Sequence, residues 1–436
     1  ANGDLGIVND LIRELEKNVD VLPAFCFSMG DRDLGAKSSG EVVKEYFQGR
    51  VDAVINLQSI FHAGSADESV LALKELDVPV FHPLTVYHKS QEEWMEDVHG
   101  LSSSEVGWSV ALPEFEGLID PILAGVSARD EIIGMEYEKH QGVADRIRKV
   151  VSRVNRWISL RDKPYSQRKV AFILHNNPCA SAEATVGSGA HLDTLESVAS
   201  ILKSMKERGY SIDHLPESGK ELIDIIMDRK AISEFRWTAV EEIVSKGGAL
   251  ALIEKEEYDA WFSALPEDAR KKVCDAWGQP PGEEKDGVPP SMVYQDRMVI
   301  TGVAFGNAIV CVQPKRGCAG ARCDGQVCRI LHDPEVPPPH QYLATYHWIE
   351  ETFGADVMIH VGTHGNMEFL PGKAVGLSEN CFPDIAVGSI PYLYIYNSDN
   401  PPEGAIAKRR SYAVIVDHMQ TVMTSSEIYG DLKELE

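Results

Sequence analysis

The stretch MIHVGTHGNMEFLPGKAVGLSENCFPD, residues 358–384, sets His360, His364, Asn366, Glu368 and Lys373 on a glycine-rich backbone. Neutral imidazole ligates divalent metals and takes up a proton near pH 7, and a carboxylate can bind a cation or serve as a base. His360 and His364 are four residues apart, but Val361-Gly362-Thr363 between them and Gly365 after them disfavour a helix. The one-face geometry of a zinc-protease helix therefore does not apply, although a loop can still converge both rings with Glu368. The rival reading for His360, at a strand end, is that it satisfies a backbone carbonyl. Lys373 after Pro371-Gly372 is an anion clamp or a surface charge. It belongs to no nucleotide-binding P-loop, because residue 367 is Met rather than Gly and Ala374 stands where Ser or Thr is required.

Three further groups could carry chemistry. Cys318, Cys323 and Cys328 have His332 close by and could bind zinc or an iron–sulfur cluster. Their spacing is wider than the C-x2-C of common zinc sites, and reduced thiols in a loop are the simpler reading. HNNPCASAEATVGSGAHLDT (175–194) puts His175 and Asn176 at a strand end, with a Gly/Ser loop before a helix whose N–H groups can face an anion. A core histidine is the equal rival for His175. Lys408, Arg409 and Arg410 share an expected helix, either as a solvated face or as groups that recognise carboxylates.

Elements must position these residues. Over 1–134, helical spacing in NDLIRELEK, SGEVVKEYFQG and DESVLALKELD alternates with short apolar runs in VDVLPAFCFS, DAVINLQS and VPVFHPL, which predicts an α/β domain with a parallel sheet. A long helix is expected over 135–160, and the polar linker RDKPYSQR completes the segment 135–168. A second α/β unit, 169–296, opens on the strand of RKVAFILHNNP. It continues through DTLESVASILKSMKERG, where Asp193 or Thr194 caps a helix ending at Gly209. Residues 297–314 alternate with period two and turn at Phe305-Gly306-Asn307 as a hairpin, and 315–342 is a Cys- and Pro-rich loop segment. A helix at 341–353 then leads into the strand ADVMIHV, within a final region of 297–436. The reactive loop thus leaves the carboxyl end of a parallel strand, where open α/β sheets place ligands. The fold class is α/β, as successive Rossmann-like parallel-sheet units.

Composition limits the partners. With 42 basic and 67 acidic residues the net charge is −25, which repels nucleic acid. No run approaches the roughly 20 apolar residues of a membrane span, no signal peptide is present, and the thin scatter of 8 cysteines argues against a secreted disulfide framework, so a cytoplasmic protein is expected. The missing initiator Met and the uncapped final helix pattern suggest a piece of a longer chain.

HVGTHGNMEFLPGKAVGLSENCFPD and IPYLYIYNSDNPPEGAIAKRRSYAVIVDH resemble the signature region of the large porphyrinoid-binding chelatase subunits, cobaltochelatase CobN and the H subunit of magnesium chelatase. The likeness extends upstream to FGNAIVCVQPKRG and HDPEVPPPHQYLATYHWI, with the CobN branch favoured. It implies insertion of a divalent metal into a tetrapyrrole, cobalt into a corrinoid precursor first and magnesium into protoporphyrin next. ATP would be hydrolysed by separate AAA+ motor subunits. It further implies Glu368 as proton acceptor or transient metal ligand, with His360 and His364 as ligands or supports. Asn366, Lys373, Arg409, Arg410 and, more weakly, His340 would hold the substrate. Phe369, Leu370 and Tyr394 could cover the ring. The Cys-rich segment between Gly317 and His332 departs from the family pattern. Two other readings are a noncatalytic tetrapyrrole-binding or signalling protein on the same scaffold, and a metal-dependent hydrolase using His360, His364 and Glu368.

Overall fold

The computed structural model of the chain describes residues 4–26, 30–31, 33–58, 66–132, 135–176, 185–189, 191–233, 239–284, 290, 292–317, 330, 333–363, 365–397 and 401–418. Ile7, Leu11 and Leu15 recur every fourth residue and form the buried stripe of helix α1 (Gly6–Leu15). Ser38, Ser90 and Ser102 each stand three residues before a glutamate. Each pair closes a capping box, starting α2 (Ser39–Val42), α4 (Gln91–Glu96) and α5 (Ser103–Val106). β1 (Val54–Ile55) and β2 (Val80–Phe81) pair in parallel across α3 (Ala66–Leu76), and β3 (Leu84–Val86) runs parallel to β4 (Leu123–Ile132), with α6 (Leu112–Phe115) before it.

Two expectations for this region are corrected. The apolar run at 19–28 forms no strand in its described residues, 19–26. The helix expected from residue 135 begins only at Ala144: Met135–Gly142 is β5, antiparallel to β4, with Ile132 opposite Met135 and Gly125 opposite Gly142. Glu, Lys and Gln favour a helix intrinsically, but a partner strand alongside overrides that preference. Helix α7 (Ala144–Asp162) follows.

β6 (Val170–Leu174) is buried along its whole length, and its alternation divides it between two cores. Val170, Phe172 and Leu174 meet Val198 and Leu202 of α8 (Thr194–Glu207) and Leu222 and Ile226 of α9 (Gly219–Asp228). Ala171 and Ile173 face Ile147 and Val151 of α7 and Tyr342 and Tyr346 of α13 (His340–His347). Asp193 caps α8 as expected, its side chain accepting from Glu196 N at 3.0 Å. After α10 (Val240–Ser245), β7 (Ala249–Ile253), α11 (Lys255–Ser263) and α12 (Glu267–Trp277), the strands β8 (Val293–Tyr294) and β9 (Arg297–Thr301) join β7 in a small antiparallel sheet. The expected hairpin is β10 (Val303–Phe305) with β11 (Ala308–Val312), turning at Gly306-Asn307; Arg297–Thr301 belongs to the other sheet.

β12 (Val357–Val361), β13 (Tyr392–Asn397) and β14 (Val414–His418) complete a six-stranded sheet in the order β10-β11-β6-β12-β13-β14, parallel except at β10. α14 (Phe382–Val387) and α15 (Pro401–Arg410) connect its last strands. The chain is α/β with parallel sheets, and no described helix is long and apolar enough to cross a membrane.

α7 fastens the two regions together through charge. Arg153 donates to both Asp120 carboxylate oxygens, at 2.5 and 3.1 Å, and to the Ile390 carbonyl at 3.0 Å; both ionic side chains are fully buried. Arg153→Met is expected to lower the unfolding free energy by roughly 3–5 kcal/mol in chemical denaturation, because it leaves the Asp120 charge buried and unpaired. Adding Asp120→Asn should recover part of that loss.

Candidate active site

β6 lies between β11 and β12, so the chain crosses from one side of β6 to the other after β11. Open α/β sheets bind ligands at such a reversal, here the carboxyl ends of β6 and β12. His175 follows β6 directly, its backbone N–H donating to the Val361 carbonyl at 3.1 Å, and His360 is the penultimate residue of β12.

The loop after β12 turns inward at once. Gly362 has φ +132°, and a Cβ there would stand 2.5 Å from the Ser188 carbonyl. At Gly365 a Cβ would lie 2.8–2.9 Å from the His175 ring and 3.0 Å from Glu368 Oε1, so only glycine lets these two side chains share this space. The glycines serve a close approach within the protein.

Hydrogen bonds link the rings. His175 Nδ1 lies 3.3 Å from the Thr363 carbonyl and 3.4 Å from the Tyr394 hydroxyl. Its Nε2 lies 3.1 Å from His360 Nδ1, and His360 Nε2 lies 3.4 Å from the Tyr346 hydroxyl. Gln313 Nε2 donates to Tyr346 Oη at 3.2 Å and its Oε1 accepts from Asn366 N–H at 3.3 Å; Tyr342 donates to Asn366 Oδ1 at 2.7 Å. Both His360 nitrogens are thereby engaged. Burial first, and the neighbouring His175 second, hold the His360 imidazole well below its ordinary pKa.

Glu368 differs from all of these. It is 0% exposed, and neither carboxylate oxygen has a hydrogen-bond partner among the described residues. Burial, reinforced by the charge of Glu403, pushes its pKa up to about 7, against the opposing pull of its own backbone N–H and of Arg410. The hydroxyl of Tyr392 is also buried without a partner among the described residues. Burial and then the Glu368 charge raise the Tyr392 and Tyr394 phenols well above their usual range, which sets both within electrostatic reach of the carboxylate.

The cations expected to hold substrate are taken up by the protein. Lys373 Nζ donates to the carbonyls of Met95, at 2.9 Å, and Asp97. Arg409 makes a two-pronged pair with Glu114 at 2.8 and 3.1 Å, and Arg410 donates to loop carbonyls. His340 is buried 3.0 Å from both the Tyr258 hydroxyl and the Gly278 carbonyl. Leu370 and Tyr394 are core residues. His364, Cys318, Cys323, Cys328 and His332 lie outside the described residues. Among the described residues no three His, Cys, Asp or Glu side chains are grouped to hold a metal ion. Sequence reasoning missed Tyr392, Tyr346, Tyr342 and Gln313. The period-two tyrosines of PYLYIYN were the available signal, since alternate strand residues share one face.

A family model described as CobN/Magnesium Chelatase matches residues 1–436. An uncharacterized protein of Methanocaldococcus jannaschii is 52% identical over 452 residues, covering 100% of this chain and 36% of the relative. The aerobic cobaltochelatase subunit CobN of Pseudomonas aeruginosa is 35% identical over 363 residues, 83% of this chain and 27% of the relative. The chloroplastic magnesium-chelatase subunit ChlH of Oryza sativa subsp. indica is 31% identical over 445 residues, 100% of this chain and 29% of the relative. The solved catalytic subunit of cobaltochelatase from Mycobacterium tuberculosis superposes with a TM-score of 0.75 at 29% identity, over 99% of this chain and 36% of that one. The chain thus spans 27–36% of the length of these relatives. It belongs to the CobN/magnesium chelatase family of large chelatase subunits.

Proposed function

We propose that this chain carries the metal-insertion centre of an ATP-dependent chelatase, with Glu368 as proton acceptor. The metal is a divalent ion, cobalt for a corrinoid precursor before magnesium for protoporphyrin, and AAA+ motor subunits supply ATP hydrolysis. The observation that carries this reading is the buried, unpartnered Glu368 carboxylate at the strand-order reversal, with its pKa pushed up to about 7.

Insertion replaces ring N–H bonds by metal–nitrogen bonds and releases their protons, one from a monoanionic corrin and two from a porphyrin. A carboxylate in a low-dielectric pocket is a stronger base than one in water, because burial disfavours its charged form. Accepting one proton neutralises Glu368, and the second proton of a porphyrin must leave by another route. His360 supports the loop indirectly, through His175, which meets the Thr363 carbonyl, and through Tyr346 and Gln313, which meet Asn366 N–H. His364, four residues before Glu368 in the sequence, is the imidazole we assign to metal transfer. Glu368 is fully buried, so a macrocycle reaches it only after the covering loop shifts.

The full-length protein with its motor subunits and ATP is to be titrated with a corrinoid precursor and with protoporphyrin, and metal insertion then followed by absorbance. Glu368→Gln should keep tetrapyrrole binding and lose insertion by about 10²-fold or more; unchanged turnover would remove Glu368 from the mechanism. A base works only when deprotonated, so wild-type insertion should rise with pH through about 7, and the variant should lack that inflection.

Stability gives a second pH test, on the chain alone. The Glu368 carboxyl titrates at about 7 when folded, against an ordinary 4.5. A raised pKa means the fold favours the protonated group: this contribution is complete below about 4.5 and lost as pH rises through about 7. Glu368→Gln should therefore melt above wild type at pH ~8, by on the order of 3 kcal/mol, with the gap closing towards pH ~5. A gap that does not vary with pH would show that the carboxyl is not perturbed.

A further inference from the structure

Arg410 ends α15, and its guanidinium lies against the loop that carries Glu368. Its Nε donates to the Lys373 carbonyl at 2.9 Å, Nη1 to the Glu368 carbonyl at 2.6 Å, and Nη2 to the carbonyls of Leu370 at 2.8 Å and Gly372 at 3.1 Å. Among the described residues no carboxylate pairs with it: the guanidinium is engaged by four carbonyls of one short loop. A planar fork with five N–H donors on three nitrogens can meet four such acceptors together. A lysine ammonium offers three donors from one atom and would lose part of the set.

The grip falls on the backbone of Glu368 itself. The rest of the loop is anchored elsewhere: Thr363 to His175, Ala374 and Val375 N–H to the Val98 and His99 carbonyls, and Lys373 and Ser378 N–H to Cys381 Sγ at 3.3 Å. Between these anchors the Pro371 carbonyl accepts from Phe382 N–H at 2.9 Å, and Arg410 is the side chain that gathers the carbonyls of Glu368, Leu370, Gly372 and Lys373. The Glu368 carboxylate has no hydrogen-bond partner among the described residues to orient it, so its direction follows from its backbone and from the packing around it, Gly365 and His175 included.

We propose that Arg410 is a positioning residue for insertion: by clamping the backbone of residues 368–373 it holds the Glu368 carboxylate beside His175 at the carboxyl ends of β6 and β12, and it does not bind the substrate. This rests on the reading of Glu368 as proton acceptor.

The test is a double-variant cycle in the full-length protein with its motor subunits, using Arg410→Lys, Glu368→Gln and both together. Arg410→Lys should bind the tetrapyrrole with unchanged Kd and KM and lower kcat, by up to about 10²-fold if the carboxylate shifts by ~1 Å. Because Arg410 acts through Glu368, the double variant should be no slower than Glu368→Gln alone. A raised tetrapyrrole Kd with unchanged kcat would overturn the proposal in favour of substrate binding by Arg410. Additive losses in the double variant would overturn it in favour of a general structural role. Wild-type behaviour of Arg410→Lys while Glu368→Gln is inactive would refute this inference alone, whereas an active Glu368→Gln would refute the underlying reading. Should Arg410→Lys fail to fold, the same cycle with Arg410→Gln decides between these outcomes.

Discussion

An ionisable carboxyl held in the interior with no hydrogen-bond partner for its oxygens among the described residues is a demanding feature of this protein. Burying a charge without a partner is so unfavourable that the group shifts its pKa instead, and Glu368 does so. Such a group persists only where the surrounding chain cannot relax to solvate or pair it. The neighbourhood of Glu368 meets that condition from several sides. The ring network from His175 to Asn366 packs the carboxyl ends of β6 and β12, Arg410 grips the loop backbone, and the far end of the loop is built into another core.

That last anchorage makes the two regions of the chain interdependent. Val375 packs with Leu84, Trp94 and Leu101 of the first region, and Trp94 Nε1 donates to the Gly376 carbonyl at 3.1 Å. Lys373 reaches the carbonyls of Met95 and Asp97. α7 adds ionic contacts: Arg146 and Lys149 meet Asp384 at 3.1 and 3.5 Å, beyond the Arg153–Asp120 pair. Buried ion pairs of this kind contribute little net stability against apolar replacements, yet a mismatched arrangement leaves charges uncompensated and is strongly disfavoured. They therefore act chiefly on which arrangement forms, and the geometry of the reactive loop follows from it.

Much of this was legible in the sequence where the signal was local. The unbroken apolar run of β6, the Asp193 cap and the Gly306-Asn307 turn each follow from a few adjacent residues, and the reactive loop stood out through its residue types. What was not legible depends on partners distant in the chain. MEYEKHQG reads as helix by propensity and becomes a strand because β4 is beside it. Lys373, Arg409 and Arg410 read as free cations, and their engagement with residues 95, 97, 114 and 368–373 emerges only once the chain is folded. The pairing of His175 with His360, 185 positions apart, is of the same kind.

The closed packing also bears on how such a base could be kept inactive until needed. With a pKa of about 7, Glu368 is close to half protonated at neutral pH, and nothing nearby among the described residues offers its charge a full ionic partner. A divalent cation brought within a few ångströms would favour the carboxylate strongly, because opposite charges interact far more in this interior than in water. In the proposed reaction the metal would thus ionise the group that must accept the proton. Once metal–nitrogen bonds formed, the deprotonated ring would offset the metal's charge, its field at Glu368 would fall, and the buried carboxyl would regain its preference for the protonated state. Metal arrival and proton uptake would then be linked through one electrostatic balance, which burial without a hydrogen-bond partner makes sensitive and a surface carboxylate would not possess.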